Sequence, residues 1–339
     1  MKLAIVHGGL TAIDMVRRAL STDREVEILW TAGDSTRAMA QARQERPEAA
    51  LVSASLDRAA VLVRVLTDEL DCPVIVLSDG SSTAKAGTFE LMSAGAVDVI
   101  VLPGLASGTG DAAAVRGKLA LLRRLAGRDN ASHKSVPPMR AAPIRPAIIA
   151  IGASTGGPQA LATVLAALPA QLEAAVLIVQ HIDPQFSEGM AQWLARSTPF
   201  TVELATQGVQ PRGGVVYVAA VGQHMVVETD GTLAFTSRPR EAAHKPSIDV
   251  LFTSLIKRSR PGVAVLLTGM GRDGAQGLAQ LRAAGWRTIA QDEATSVVYG
   301  MPKAAAELKA AAHVLPLPQI GPAIVRLVEE LDRPPPRPA

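Results

Sequence analysis

Short apolar runs recur along this chain, separated by intervals about as long as a helix. In the first block Leu3–Val6, Val26–Trp30, Ala49–Val52, Val74–Leu77 and Val97–Leu102 read as strands, while Thr11–Leu20 and Arg37–Arg46 space their apolar residues as helices do. The alternation resumes at Ala147. There the expected strands are Ala147–Ile151, Ala174–Gln180, Val215–Ala219, Val263–Thr268 and Thr288–Gln291, with helices starting near Pro158, Ser187, Ser247 and Gly274. Strands that alternate with helices pair in parallel and are covered on both faces, so each block predicts a doubly wound α/β sheet. Val215–Thr236, with Asp230-Gly231 between apolar runs, is expected to include a hairpin.

Between the blocks, AGRDNASHKSVPPMRAAPIRP is rich in Pro, Ser and charge and carries no sustained period, which marks a linker. The organisation expected is a domain over 1–125, a linker over 126–146, a second domain over 147–332 and a disordered tail, RPPPRPA, over 333–339. Aromatic residues make up only 3% of the chain, so Ala, Val, Leu and Ile must fill the cores, as suits parallel strands under Ala-rich helices. The formal charge is +3 and the basic residues fall in dispersed pairs such as Arg17-Arg18, which argues against nucleic-acid binding. No apolar run is long enough for a membrane span, and the start MKLAIVHGG is too short for a secretory signal. The single cysteine, Cys72, excludes an internal disulfide and reads as buried filler. A cytoplasmic protein without cofactor or metal is expected.

The stretch IGASTGGP, Ile151 to Pro158, follows one of the apolar runs and invites three readings: a phosphate cradle, a nucleophile turn or a plain turn. A P-loop needs Lys-Ser or Lys-Thr after its glycines, and here Gly157 is followed by Pro158 and Gln159. Gly152-Ala-Ser154-Thr-Gly156 fits G-x-S-x-G, in which glycines allow a sharp turn and the next helix aims free N–H groups at an oxyanion. Alone, the pattern suits an incidental serine equally well. A serine nucleophile needs a base and the base needs a carboxylate. His181 ends the next apolar run, and Asp273 follows a later one in TGMGRDG, so a parallel sheet would bring both to the carboxyl edge that carries Ser154. Taken singly, a histidine at a strand end is more often structural. Gly269-x-Gly271-x-x-Gly274 is also a literal dinucleotide fingerprint, with Asp292 spaced for a ribose. Asp273 would repel a pyrophosphate at that helix N-terminus, whereas an aspartate there is stabilised as an anion. The order Ser154, His181, Asp273 differs from that of α/β-hydrolases.

IGASTGGP, the QH after the next strand, HKPSIDVLF, LLTGMGRDGA, AQDEATSVVYGMPKAA and the two-domain layout together resemble the bacterial chemotaxis protein-glutamate methylesterases (CheB family). The resemblance implies a flavodoxin-like receiver domain joined to a doubly wound catalytic domain. It implies hydrolysis of glutamate γ-methyl esters, and deamidation of glutamines, on the cytoplasmic helices of methyl-accepting chemotaxis receptors. Carried onto this sequence, it makes Ser154 the nucleophile, His181 the base and Asp273 the orienting acid. Thr155, Gly156 and Met270 fall at oxyanion or substrate positions, with main-chain N–H groups as donors, and His244 falls at a motif bordering the cleft. Ile182-Asp183-Pro184 departs slightly from the family's QH motif and adds a charge beside the base.

The first domain departs further. Family receivers follow their first strand with two acidic residues that hold Mg²⁺, and here His7-Gly8-Gly9 stands there. Ser53 occupies the position of the phosphorylated aspartate, Leu102 that of the lysine, and only the hydroxyl position survives, as Ser78. Asp57 lies past the expected site. No phosphoacceptor and no metal site are therefore expected, and phosphotransfer from a chemotaxis histidine kinase is not. Two readings of this domain stay open, a retained scaffold and a pseudo-receiver acting through protein contacts. For the whole chain, the alternative to an esterase is a non-catalytic signalling scaffold or binding protein.

Overall fold

A computed structural model describes residues 1–20, 25–102, 146–183, 186–220, 222–258 and 260–332. The chain divides into two compact units, Met1–Ala131 and Ser132–Ala339. The linker expected at 126–146, apart from Pro146, and the tail expected at 333–339 lie outside the described residues.

In the first unit β1 (Lys2–Val6), β2 (Glu27–Ala32), β3 (Ala49–Ser53), β4 (Val74–Ser78) and β5 (Asp98–Val101) form a parallel sheet in the order β2-β1-β3-β4-β5. That is the flavodoxin-like order, in which β1 lies between β2 and β3 and the connection from β2 to β3 crosses over it. β3 and β4 are buried along their whole length, which explains why both read as unbroken apolar runs. Leu3, Ile5, Leu51, Ile75 and Leu77 form the core on one face. Cys72 is buried, as expected, and burial pushes its thiol up to about 12.

The second unit holds a wholly parallel seven-stranded sheet. Its strands are β6 (Ala147–Ala153), β7 (Ala174–Gln180), β8 (Thr201–Leu204), β9 (Val215–Val218), β12 (Val263–Leu266), β13 (Arg287–Gln291) and β14 (His313–Leu315). They run in the order β14-β13-β12-β6-β7-β9-β8. β10 (His224–Val227) and β11 (Leu233–Thr236) make the expected hairpin, antiparallel, with Asp230 capping its turn by accepting from Thr232 N at 2.8 Å. Helices Gly157–Ala166, Ser187–Ala195, Ile248–Leu255 and Ala275–Ala283 begin at or beside the positions expected.

Two strands are additional to those read from the sequence. β8 and β14 are the two edges of the sheet, and neither contains a buried residue. An edge strand exposed on one side needs no apolar run, so hydropathy does not reveal it. β12 stops two residues short of the expected Thr268, because Thr268 N leaves the ladder and donates to the Gln291 side chain at 2.8 Å.

The chain enters at β6, builds outward through β7, β8 and β9, then returns to lay β12 against the other side of β6. The carboxyl ends of β6 and β12 thus flank the switch point, where a doubly wound sheet leaves a crevice for ligands. Ile148, Leu177, Tyr217, Phe252 and Leu278 belong to the core that supports this edge.

Candidate active site

β6 and β7 are paired to their last residues, Ala153 opposite Gln180, and His181 N donates to Ala153 O at 3.0 Å. The next residue on each strand is Ser154 and His181. They leave neighbouring parallel strands in matched register, about 4.8 Å apart at the backbone by ordinary sheet spacing. Ser154 is nearly buried. Its N donates to Thr268 O at 3.0 Å, and its O accepts from Gly157 N at 2.7 Å, which closes the tight turn into the helix Gly157–Ala166. Gly156 takes φ 76° in that turn, and a Cβ there would lie 2.5 Å from Val297 Cβ.

Asp273 comes from the loop after β12. Its Oδ2 accepts from His181 Nε2 at 2.9 Å and from Ile248 N at 2.8 Å. Its Oδ1 accepts from Ser247 Oγ at 2.9 Å, Asp249 N at 3.1 Å and Gly274 N at 3.1 Å. Burial alone would raise this carboxyl group. His181 and the N–H groups of Ile248 and Asp249 outweigh burial and hold it well below the usual carboxylate range. The sequence pointed to the helix that follows Asp273 as its stabiliser. The dominant helix N-terminus is instead that of Ile248–Leu255, brought in by the HKPSID segment. An aspartate two positions before a helix receives few of that helix's N–H groups, whereas a neighbouring helix can aim two of them at it.

Because Nε2 is committed to Asp273, Nδ1 is the ring nitrogen left uncommitted. That atom is buried and has no hydrogen-bond partner among the described residues. His244 stacks on the same ring, with centroids 4.1 Å apart and planes inclined by 18°. Burial, then the neighbouring His181, push His244 below its usual value, although Asp273 opposes them.

Among the described residues no hydrogen bond engages the N–H of Thr155 or of Met270, whereas those of Ser154, Gly157 and Gly269 are all used. The N-terminus of the helix Gly157–Ala166 adds positive potential at this spot. Thr268 Oγ1 donates to Thr155 O at 3.0 Å and accepts from Val298 N at 2.8 Å, tying the serine turn to the loop after β13.

The glycine fingerprint has a packing purpose. A Cβ on Gly269 would lie 2.6 Å from Ser154 Cβ and 2.5 Å from Met301 Sδ. A Cβ on Gly274 would lie 2.6 Å from Ile248 Cγ2, and that residue stands at φ 86°. Asp292, spaced for a ribose in the sequence, spends Oδ1 on Thr295 N at 2.9 Å and Thr295 Oγ1 at 2.6 Å.

Sequence reasoning passed over several residues at this edge. Gln180, Ser247, Asp249 and Gly269 lie inside the quoted motifs, but nothing in the sequence gave any of them a role of its own at the site. His224, fully buried, accepts from Ser247 N through Nδ1 at 3.1 Å and pairs through Nε2 with Pro239 O at 3.2 Å. It therefore holds the serine that holds Asp273.

At the equivalent edge of the first unit, Ser53 ends β3, buried, with its Oγ 2.9 Å from Ser55 Oγ. His7 follows β1, and its Nδ1 accepts from Gly9 N at 2.9 Å. Ser78 ends β4, Leu102 is buried and Asp57 is exposed. Asp79, which the sequence reading did not weigh, is held below its usual value by the hydroxyl and N–H of Ser81. Among the described residues no three His, Cys, Asp or Glu side chains gather as a metal site would require. No described helix is long and apolar enough to cross a membrane.

Residues 149–324 match the family model described as CheB methylesterase. The chain is 41% identical to a protein-glutamate methylesterase/protein-glutamine glutaminase of Cupriavidus metallidurans over 335 residues, covering 96% of this chain and 98% of that one. It is 38% identical to one of the same name from Pseudomonas aeruginosa, covering 98% of this chain and 100% of that one. Among solved structures it is similar to the Thermotoga maritima CheB methylesterase catalytic domain, at 32% identity and a TM-score of 0.52, over 54% of this chain and 100% of that one. With a family model spanning its second unit and relatives aligned along nearly its whole length, the chain belongs to the CheB methylesterase family.

Proposed function

We propose that this protein is a cytoplasmic serine hydrolase that removes methyl groups from glutamate γ-esters, and deamidates glutamines, on the cytoplasmic helices of chemoreceptors. The observation that carries the reading is the His181–Asp273 pair, whose free Nδ1 belongs to a ring in matched register with Ser154. Ser154 Oγ attacks the γ-carbonyl carbon while His181 Nδ1 takes its proton. The carbonyl oxygen becomes an oxyanion before the N–H groups of Thr155 and Met270. As the intermediate collapses, the C–O bond to the methyl group's oxygen breaks, and the imidazolium gives its proton to the departing methoxide, releasing methanol. Water, deprotonated by His181, then cleaves the acyl-serine to glutamate. With glutamine the leaving group is ammonia and the remaining steps are the same. Asp273 orients the ring and stabilises its cationic form throughout. Met270, exposed at the rim, and His244, stacked on the base, are the side chains offered to the substrate.

The test is methanol release from receptor membranes carrying radiolabelled methyl esters. Steady release by the purified protein is expected, and its absence at micromolar enzyme would overturn the reading. A subtler check comes from Gly269→Ala. The added methyl would press on Ser154 Cβ, and a displacement on the order of 1 Å lowers kcat by roughly 100-fold. Unchanged kcat would mean that Ser154 tolerates movement that the mechanism forbids.

For the first unit the same reading holds that aspartyl phosphorylation is lost. Ser53 at the end of β3 has no carboxylate to phosphorylate, and His7-Gly8-Gly9 after β1 supplies no acidic pair for Mg²⁺. Methanol release is accordingly expected to stay within about 2-fold of its basal rate on adding Mg²⁺ and a small-molecule phosphodonor. Clear stimulation would restore a phosphorylation switch and a histidine-kinase partner.

A further inference from the structure

We propose that Gln180 is a positioning residue that locks the nucleophile and the base to each other through their main chains, an inference that rests on the hydrolase reading above. Gln180 is the last residue of β7 and is almost fully buried. Its Nε2 donates to Ser154 O at 2.8 Å and to His181 O at 2.9 Å, so both amide hydrogens are used on the two residues that carry the chemistry. The backbone ladder between β6 and β7 ends at Ala153 and Gln180. The side-chain amide therefore supplies one more rung beyond the ladder, at the place where both strands turn away into loops.

The other end of the amide makes the arrangement specific. Gln180 Oε1 is buried and has no hydrogen-bond partner among the described residues. A Cβ on Gly157 would lie 2.0 Å from Oε1 and 2.8 Å from Cδ. Gly157 is thus the floor on which the amide rests, and any larger residue there would push it off both carbonyls. A buried acceptor left unsatisfied costs free energy that an apolar side chain would avoid. That cost is explained if the two donors are needed where they are. Holding both carbonyls restricts ψ at Ser154 and at His181, and so limits how far the two side chains can shift relative to each other.

The experiment compares wild type, Gln180→Met, Gly157→Ala and the double variant. Met keeps length and apolar bulk but donates nothing. Two readouts are used under conditions where circular dichroism finds all four proteins folded. One is the second-order rate at which a fluorophosphonate probe labels Ser154, and the other is kcat and KM for methanol release. Gln180→Met is expected to lower the labelling rate and kcat together by roughly 10- to 100-fold with KM within about 3-fold. Gly157→Ala is expected to do the same while Gln180 is still present, and to cost much less in the Gln180→Met background, because the two changes remove one interaction.

Labelling within about 2-fold of wild type in Gln180→Met, a rise in KM with kcat unchanged, or strictly additive losses in the double variant would each overturn the proposal. If the wild type labels at Ser154 but releases no methanol, the substrate reading fails and the labelling comparison alone decides the role of Gln180. If wild-type Ser154 does not label at all, both fall.

Discussion

Ser154→Ala is expected to lower kcat for methanol release by roughly 10⁶-fold, the loss typical when the nucleophile of such a triad is removed. Residual turnover would come from the N–H groups of Thr155 and Met270 and from binding, neither of which the substitution touches. Stability should barely change. Ser154 engages its neighbours through its main chain, at Thr268, Gly157 and Gln180, and alanine keeps all three bonds. The measurement is methanol release set beside a denaturant unfolding midpoint. Release by the alanine variant at the wild-type rate would remove Ser154 from the mechanism, and with it the reason for reading His181 and Asp273 as its partners.

Asp273→Asn carries the second-largest effect, a fall in kcat of roughly 10⁴-fold through the wrong histidine tautomer. An amide NH₂ facing His181 Nε2 turns that nitrogen into an acceptor. The ring proton then moves to Nδ1, which can no longer take the proton of Ser154. Unlike the serine change, this one also destabilises the fold. Five donors converge on the carboxylate, from Ser247, Ile248, Asp249, Gly274 and His181, and an amide has one oxygen to offer them. Each buried donor left without a partner costs about 1–3 kcal/mol. The loss has a definite pH dependence. Asp273 titrates below its unfolded-state value near 4, so the stability it contributes is complete above that value and disappears as pH falls through the lower folded value. The gap in unfolding free energy between wild type and Asp273→Asn should therefore narrow on acidification below about pH 4. A gap independent of pH from 7 to 3 would mean that the carboxylate is not the stabilising form.

Periodicity was enough to locate the central strands of both sheets, because a strand buried on both faces must be apolar throughout, as in β3, β4, β6 and β7. It was silent on the edges β8 and β14, which satisfy no such demand. The convergence of Ser154, His181 and Asp273 on one edge was legible for a related reason. Parallel strands all deliver their next residue to the same edge, so three polar residues that each follow a buried run are candidates for one site. His244 was legible only through the family resemblance, and the sequence offered no hint that its ring lies flat on His181.

Chain order alone thus specified two α/β units and one edge that gathers Ser154, His181 and Asp273, since strand spacing and polarity are local properties written residue by residue. How that edge works depends on contacts between segments far apart in sequence. The sheet order brought β12 against β6, the HKPSID segment delivered a foreign helix N-terminus to Asp273, and Asp273 in turn engaged Nε2 of His181 and left Nδ1 without a partner among the described residues. Gln180 is the plainest case. As a residue type it is an unremarkable polar end to a strand, and it becomes a clamp only because folding sets the carbonyls of Ser154 and His181 within reach of one amide, over a glycine with no side chain to push it away.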